Sequence, residues 1–484
     1  MANVATGNSD MASGVNILNV NEHQVIDELY SYRGGFRDGT YLIPHIMETT
    51  EKFAKRCQSS HLVNFYSPVI DAMWRPVFDK QIKRICDDPV YNEFLINVDN
   101  KGTGIEIFMR GTARETRKHS TYFVVMDNFS EVPPTENEMI RNRAYPYLYK
   151  KKPQDVESYE LDRYGNLVSI TFRNGVYVEM VDGKKKEYQK FIEMTPETFD
   201  EYYIVKDGDK SAKVSIEGFP KVNAIGEVPV VIARDEHPDD GELMAPPRTY
   251  GLMRINHAIF NKDSEMRENE RKQQFSMAVF KGAAKDQVIG TSNGMFIPQD
   301  ADFPQYLEPN PAILSGLRDN RTDLRDDAYR IAEQTGVVGT KTLASGTAMG
   351  FEFMPRASVL SETAAICESV EYAICKLFQM WTNRTFDFVV EYSREYTPSD
   401  ETAMMKVVDI ALTYADIMPP DVMIQAARFI VSKLYPTATE EELSLIDSTM
   451  RLSIDAKEKA YFDARNAVLE DDDAEDDAED DADV

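Results

Sequence analysis

Apolar residues recur at helical spacing from about residue 24 to 95, in HQVIDELYSYRG, HIMETTEKFAKRC and VNFYSPVIDAMWRPVFDKQIKRICDD. The pattern predicts a helical N-terminal portion. Pro68 and Pro76 break or kink what would otherwise be one long helix, because proline lacks a backbone donor and clashes with the preceding turn. Between 104 and 232 the pattern shortens to β-like runs: GIEIFMRG, TYFVVMDN, NLVSITFRNGVYVEMV and VPVVIA. Asn174–Gly175, flanked by alternating LVSITF and VYVEM, predicts a hairpin, since both central residues of a type I′ turn need positive φ. A helical portion therefore leads into an α+β domain.

After Pro246–Pro247 no breaker interrupts the stretch between Gly251 and Gly282. Its start carries an apolar stripe through Leu252, Ile255 and Ile259, but its middle, NKDSEMRENERKQQ, is polar nearly all round. Such a helix needs neighbouring helices or neighbouring copies to be stable. A short irregular stretch follows, and a second helical pattern begins at Ala312 with Leu317, Leu324 and Ile331 seven apart. Charges of both signs flank this narrow seam, which favours helix-to-helix packing with polar edges. Next comes TGVVGTKTLASGTAMGF (335–351), small and polar, and then the broad apolar face of 357–381, with Leu360, Cys367, Ile374 and Trp381 at sevenfold spacing. A strand, FDFVVEYS, and helices at 400–416, 419–434 and 438–467 complete the pattern.

The 484 residues allow two to four domains, and 42% hydrophobic with 28% charged residues fits an ordinary soluble chain with a sizeable core. No uninterrupted apolar run approaches the length of a membrane span. Residues 1–23 read as a flexible arm with neither the basic start nor the apolar stretch of a secretory signal. The net charge of −28 is uneven: EDDDAEDDAEDDADV (470–484) carries eleven carboxylates and no base, leaving −17 elsewhere. A block of this kind repels itself and is expected to be disordered, serving either to occupy basic partners or simply to solubilise. The four cysteines, Cys57, Cys86, Cys367 and Cys375, form no C-x-x-C pair, which suits a reducing cytoplasm. The six histidines stand apart from one another and show no zinc or catalytic spacing.

Two stretches invite a catalytic reading. A P-loop needs Lys directly after its last Gly, whereas Gly339 is followed by Thr340 and Lys341 comes one residue late, after a charged helical stretch rather than a buried strand. In RDEHPDDGE the acids Asp235, Glu236, Asp239, Asp240 and Glu242 are too nearly consecutive to converge on a metal and suit an exposed loop. No cofactor is expected. A nucleic-acid-processing enzyme, a metal-dependent nuclease or an ATPase, remains the alternative from another class, and another viral connector or shell component is a third.

The order of parts resembles the portal proteins of tailed bacteriophages, the head-to-tail connectors. The entry GEVPVVIARDEHPDDGELMAPPRTYGLMRINHAIFN looks like their wing-to-stem passage, and SGTAMGFEF like the small-residue end of their tunnel loop. SREYTPSDETAMMKVVDIAL and TATEEELSLI are similar to segments leading through the crown. The resemblance implies an α+β portal fold: wing at 24–245, first stem helix at 246–282, small α/β clip at 283–311, second stem helix at 312–336, tunnel loop at 337–352, long wing helix at 353–384, and wing and crown at 385–469. It further implies no enzymatic activity of its own and a homo-oligomeric, dodecameric ring at one capsid vertex of the virion, assembled in the host cytoplasm, with no membrane. Double-stranded DNA passes through the channel during packaging and ejection. The terminase large subunit, head-completion or adaptor proteins, and major capsid and scaffold proteins are the implied partners.

Residue by residue, Gly339, Thr340, Lys341, Thr342, Ser345 and Thr347 would line the DNA channel, and Ile289, Met295, Phe296, Ile297, Phe303 and Tyr306 would form the docking face of the clip. Leu317, Leu324, Ile331, Ile255 and Ile259 would pack subunits along the stem. An acidic protein suits a conduit, because carboxylates repel phosphates and a few basic or hydroxyl groups at a constriction give weak, sequence-blind contact.

Overall fold

The computed structural model describes residues 15–46, 48–127, 135–181, 184–207, 210–274, 278–281, 294–297, 311–331, 346–394 and 396, with scattered positions from 424 to 459. Its N-terminal helices are α1 (Glu22–Ser31), α2 (Gly34–Asp38), α3 (Thr50–Ser59) and α4 (Tyr66–Trp74), followed by strand β1 (Lys83–Cys86), α5 (Pro89–Ile96) and α6 (Ile105–His119). Next come β2 (Thr121–Asp127), α7 (Glu136–Asn142), β3 (Tyr147–Lys151), β4 (Val156–Leu161), β5 (Leu167–Val181), β6 (Lys184–Met194), β7 (Thr198–Asp207), β8 (Lys210–Ser215), β9 (Lys221–Val222) and β10 (Val230–Arg234). The remainder comprises α8 (Tyr250–Gln274), β11 (Ala278–Lys281), β12 (Gly294–Ile297), α9 (Pro311–Ile331), α10 (Gly346–Thr382) and β13 (Phe388–Glu391). The class is mixed α+β, as the sequence predicts.

Local signals explain several boundaries. Asn21 caps α1 by accepting from the N–H groups of His23 and Gln24, and Asp88 caps α5 by accepting from Tyr91 N–H at 2.8 Å, with Pro89 at the first helical position. Pro68 sits in the first turn of α4, and Pro76 lies in the short 3-10 turn that ends it.

Four expectations are corrected. GIEIFMRG opens helix α6 rather than a strand: Ile105, Phe108, Met109, Thr112, Ala113 and Thr116 are buried at helical spacing, and the brief alternation of IEIF ends there. KRIC, placed in a helical run by pattern, is β1, paired antiparallel with β13. Asn174–Gly175 does not turn the chain. The strand continues through it, and Asn174 and Gly175 (φ +76°) together oppose Lys190, a β-bulge in the β5–β6 ladder. The arm ends sooner than residue 23: Ile17 is buried in a 3-10 turn and His23 is buried within α1. Residues 1–14 and the acidic tail lie outside the described residues.

β2 organises the body. It is the middle strand of the antiparallel sheet β10–β2–β3, and every one of its residues is buried. Its alternation serves two cores. Tyr122, Val124 and Met126 join a cluster with α5, α6 and α10 that includes Phe94, Met109, Cys367, Ile374 and Phe378. Phe123 and Val125 face Ile170, Phe172, Ile192 and Met194 of the larger antiparallel sheet β4–β5–β6–β7–β8. A strand apolar on both faces is what a continuous hydrophobic run such as YFVVM specifies. A third cluster joins α1, α3 and α4 to α8 through Val25, Leu29, Phe53, Tyr66, Leu252, Met253 and Phe260.

Contacts divide the chain into Met1–Thr397 and Pro398–Val484. In the second unit Ile424 is buried and Arg428 pairs with Asp447 at 3.3 Å.

Candidate functional site: the root and polar seam of the long helix pair

α8 and α9 pack antiparallel, about 37 and 31 Å long at 1.5 Å per residue. The polar residues of α8 find partners within the same chain. Asn256 accepts from the backbone N–H groups of Phe65 and Tyr66, both at 2.9 Å, and donates to Val63 C=O. His257 Nε2 lies 2.8 Å from Tyr41 C=O, and Asn261 accepts from Ile43 N–H at 2.8 Å. Ser264 Oγ is 3.2 Å from the buried Arg56, whose guanidinium is held bidentate by Glu48 at 2.9 and 2.6 Å. Burial alone would raise the Glu48 carboxyl, but the Arg56 hydrogen bonds outweigh it and hold it below the usual range.

From Asp263 onward the helix relies on charge. Asp263 takes Arg321 of α9 at 2.5 Å, Glu270 takes Arg318 at 3.2 Å, and Arg267 reaches His61 at 2.7 Å and Ser59 C=O. Leu317 and Leu324 are half-buried along this seam, and Ala328 is buried in the core shared with α8. Ile255 packs against the same core and Ile259 is fully buried, so Ile259 is spent inside the subunit and cannot serve as a contact between copies. The side chain of Ile331 lies outside the described residues.

The root of α8 is docked on the C-terminal end of α6. Ser120, at φ +59°, closes α6 and accepts from Arg248 N–H at 2.8 Å, and Thr249 Oγ1 donates to Lys118 C=O at 2.9 Å. Tyr66 O–H donates in turn to Thr249 at 2.8 Å. The polar run Glu115–Thr121 is buried throughout. Arg117 donates to Asp235, to Thr363 Oγ1 at 2.8 Å and to Val359 C=O at 2.8 Å, tying α6 and the end of β10 to α10. Asp235 is thus no exposed loop acid. Burial pushes its carboxyl up by more than Arg117 pulls it down. Glu236, His237, Asp239, Asp240 and Glu242 are exposed.

Beside Arg117 lies a charge knot with no visible spacing in the sequence. Asp27 of α1 accepts from Lys118, from His119 Nε2 at 3.1 Å, from Lys152 at 2.5 Å and from Gln154 at 2.9 Å. Glu115 takes Lys118 at 2.9 Å. Burial would raise both carboxyls, but the His119 hydrogen bond and the nearby ammonium charges hold each far below the ordinary range. His119 Nδ1 faces His23 Nδ1 at 3.1 Å, so one ring donates and the other accepts. Burial first, and the His119 charge second, push His23 down to about 4. The sequence sets the histidines apart from one another. Ninety-six residues separate this pair, so only the fold reveals it.

Asp27, Glu115 and His119 bring one ligand atom each within 4.8 Å of one another, a spacing a metal ion can use. The two lysines already bind those carboxylates, and two ammoniums balance two carboxylates. A divalent ion would have to displace both, so the donor set fits a structural ion-pair knot and not a metal centre.

Of the remaining expected site residues, Gly339, Thr340, Lys341, Thr342 and Ser345 lie outside the described residues, as do Ile289, Phe303 and Tyr306. Met295, Phe296 and Ile297 belong to β12, paired parallel with β11, and Thr347 belongs to α10. That helix begins at Gly346, so 346–352, expected to be loop, are helical.

No family model matches the sequence, and no curated protein matches it. Among solved structures, a chain in the virion of a native gene transfer agent particle is 11% identical with a TM-score of 0.34, over 90% of this chain and 96% of that one. A chain in the neck of an empty gene transfer agent particle is 11% identical with a TM-score of 0.36, over 74% of this chain and 89% of that one.

Proposed function

We propose that this chain is the subunit of a phage portal ring, a conduit for double-stranded DNA at one capsid vertex. In this reading α8 and α9 are the stem, 283–311 with β12 the clip, 337–345 the tunnel loop, and α10 the long helix behind it. The observation that carries the reading is the antiparallel α8–α9 pair, which brackets a short insert whose strands β11 and β12 pair with each other and with no other described strand. A helix pair that carries its own small β unit and is rooted by buried hydrogen bonds is suited to holding a docking module away from the body. α8 meets the N-terminal helices through apolar residues and buried, hydrogen-bonded polar ones and relies on charge beyond, as a helix that leaves a core should.

Native mass measurement and imaging of the purified full-length protein test the reading. The expected result is a closed ring of about twelve chains with an axial channel, since a heterologous contact whose rotation closes generates a ring. A stable monomer that cleaves DNA with a metal ion overturns it in favour of the nuclease alternative. Lys341→Ala should leave the ring intact and alter DNA packaging or retention.

A further inference from the structure

On another face of α6 from Arg117 lies a cleft of about 580 Å³ lined by that helix, by β3, by the 99–103 loop and by Trp74. Four cations line it: Lys101, Arg110, Arg114 and Lys150. Arg110 is shared with Glu106 at 2.7 Å and Arg114 with Glu115 at 2.9 Å. Asp99, the one acid of the lining, spends Oδ1 on the backbone N–H groups of Lys101 and Thr103. Among the described residues neither Lys101 nor Lys150 has an ion-pair partner.

Lys150 is the unusual member. It lies over the Phe108 ring, 4.1 Å from the centroid, and donates to Phe108 C=O at 2.7 Å, leaving two N–H groups to spend. The helix makes room for it at Gly111, where a Cβ would stand 2.5 Å from the ammonium. A glycine inside a helix is unfavourable relative to alanine, and here it accommodates a cation. Burial, and then the Arg114 charge, push the Lys150 amine down to about 8, with Glu115 and Asp99 opposing.

We propose that this cleft binds a phosphate group, with Lys150 as the central charge and Arg114, Arg110 and Lys101 around it. A phosphate offers several oxygens to the guanidinium forks and to the two free N–H groups of Lys150, and its charge relieves the repulsion between Lys150 and Arg114. The same chemistry is presented by a free phosphate compound and by a nucleic-acid backbone. The proposal does not depend on the portal reading.

Calorimetric titration of the full-length protein with pyrophosphate and, separately, with a short DNA duplex tests it. Lys150→Met should weaken binding at least tenfold. Gly111→Ala, which improves helix propensity while displacing the ammonium, should weaken it several-fold with the melting profile preserved. Binding should also weaken as pH rises from 7 to 9.5, because the anion needs the ammonium form. Lys150-dependent binding of pyrophosphate supports a free-phosphate source, and Lys150-dependent binding of duplex alone supports a backbone source. Binding unchanged in both variants, or absent with both probes, overturns the proposal, and neither result bears on whether the chain forms a ring.

Discussion

The C-terminal end and the cleft-lining face of α6 treat positive charge in opposite ways. At its C-terminal end Arg117 and Lys118 are buried with matching carboxylates from α1, α6 and β10's end, and His119 is bonded to Asp27. On the other face Lys150 and Lys101 line a cleft without such partners. The difference separates architecture from recognition. Paired charges hold elements together, and breaking a pair leaves a buried ion exposed to its full desolvation cost. An unmatched half-buried cation adds little to the fold and has capacity left for a ligand.

The sharpest way to break the contrast is Arg117→Met, which strands Asp235 in the interior. It should cost about 3–5 kcal/mol in urea unfolding, with Asp235→Asn in the same chain recovering part of the loss. Acidification probes the knot next. His23 titrates at about 4 in the folded chain against an ordinary 6.5, so the unfolded chain takes up a proton first and stability falls as pH drops through that window. The loss should approach about 3 kcal/mol, and His23→Gln should flatten the melting temperature against pH over the same range. Asp27 and Glu115, held low, contribute stability present above the ordinary carboxylate range and lost on further acidification. Asp27→Asn should cost about 2 kcal/mol by chemical denaturation, less than Arg117→Met because its carboxylate is partly exposed. The smallest effect belongs to Lys150→Met, which should change stability by less than about 1 kcal/mol. A large loss there would erase the distinction between the two regions.

The sequence made some of this legible and hid the rest for physical reasons. α10 announces itself because its hydrophobic pattern is long enough to fix a period, and β2 because YFVVM is a continuous apolar run of strand length. GIEIFMRG misleads because the brief alternation of IEIF cannot be told from the start of a helical stripe. Asn174–Gly175 misleads because the positive φ that suits a tight hairpin equally suits a bulge, and the partner strand decides which forms. The polar turn of α8 correctly signals a need for neighbours, yet gives no hint that Tyr41, Ile43, Arg56 and Phe65 of the same chain supply them. The knot is invisible because Asp27 and His119 lie 92 residues apart and the charges around His119 resemble a solvated helix end.

The alternating sides of β2 carry a mechanical meaning. Phe123 and Val125 grip one layer while Tyr122, Val124 and Met126 grip another, so displacing the strand would strain both packings at once. β2 begins at Thr121, next to the Ser120 that receives Arg248 at the foot of α8. The foot of the long helix pair is therefore bonded beside the strand common to both cores, the place where a load on the pair would be shared between two packed layers.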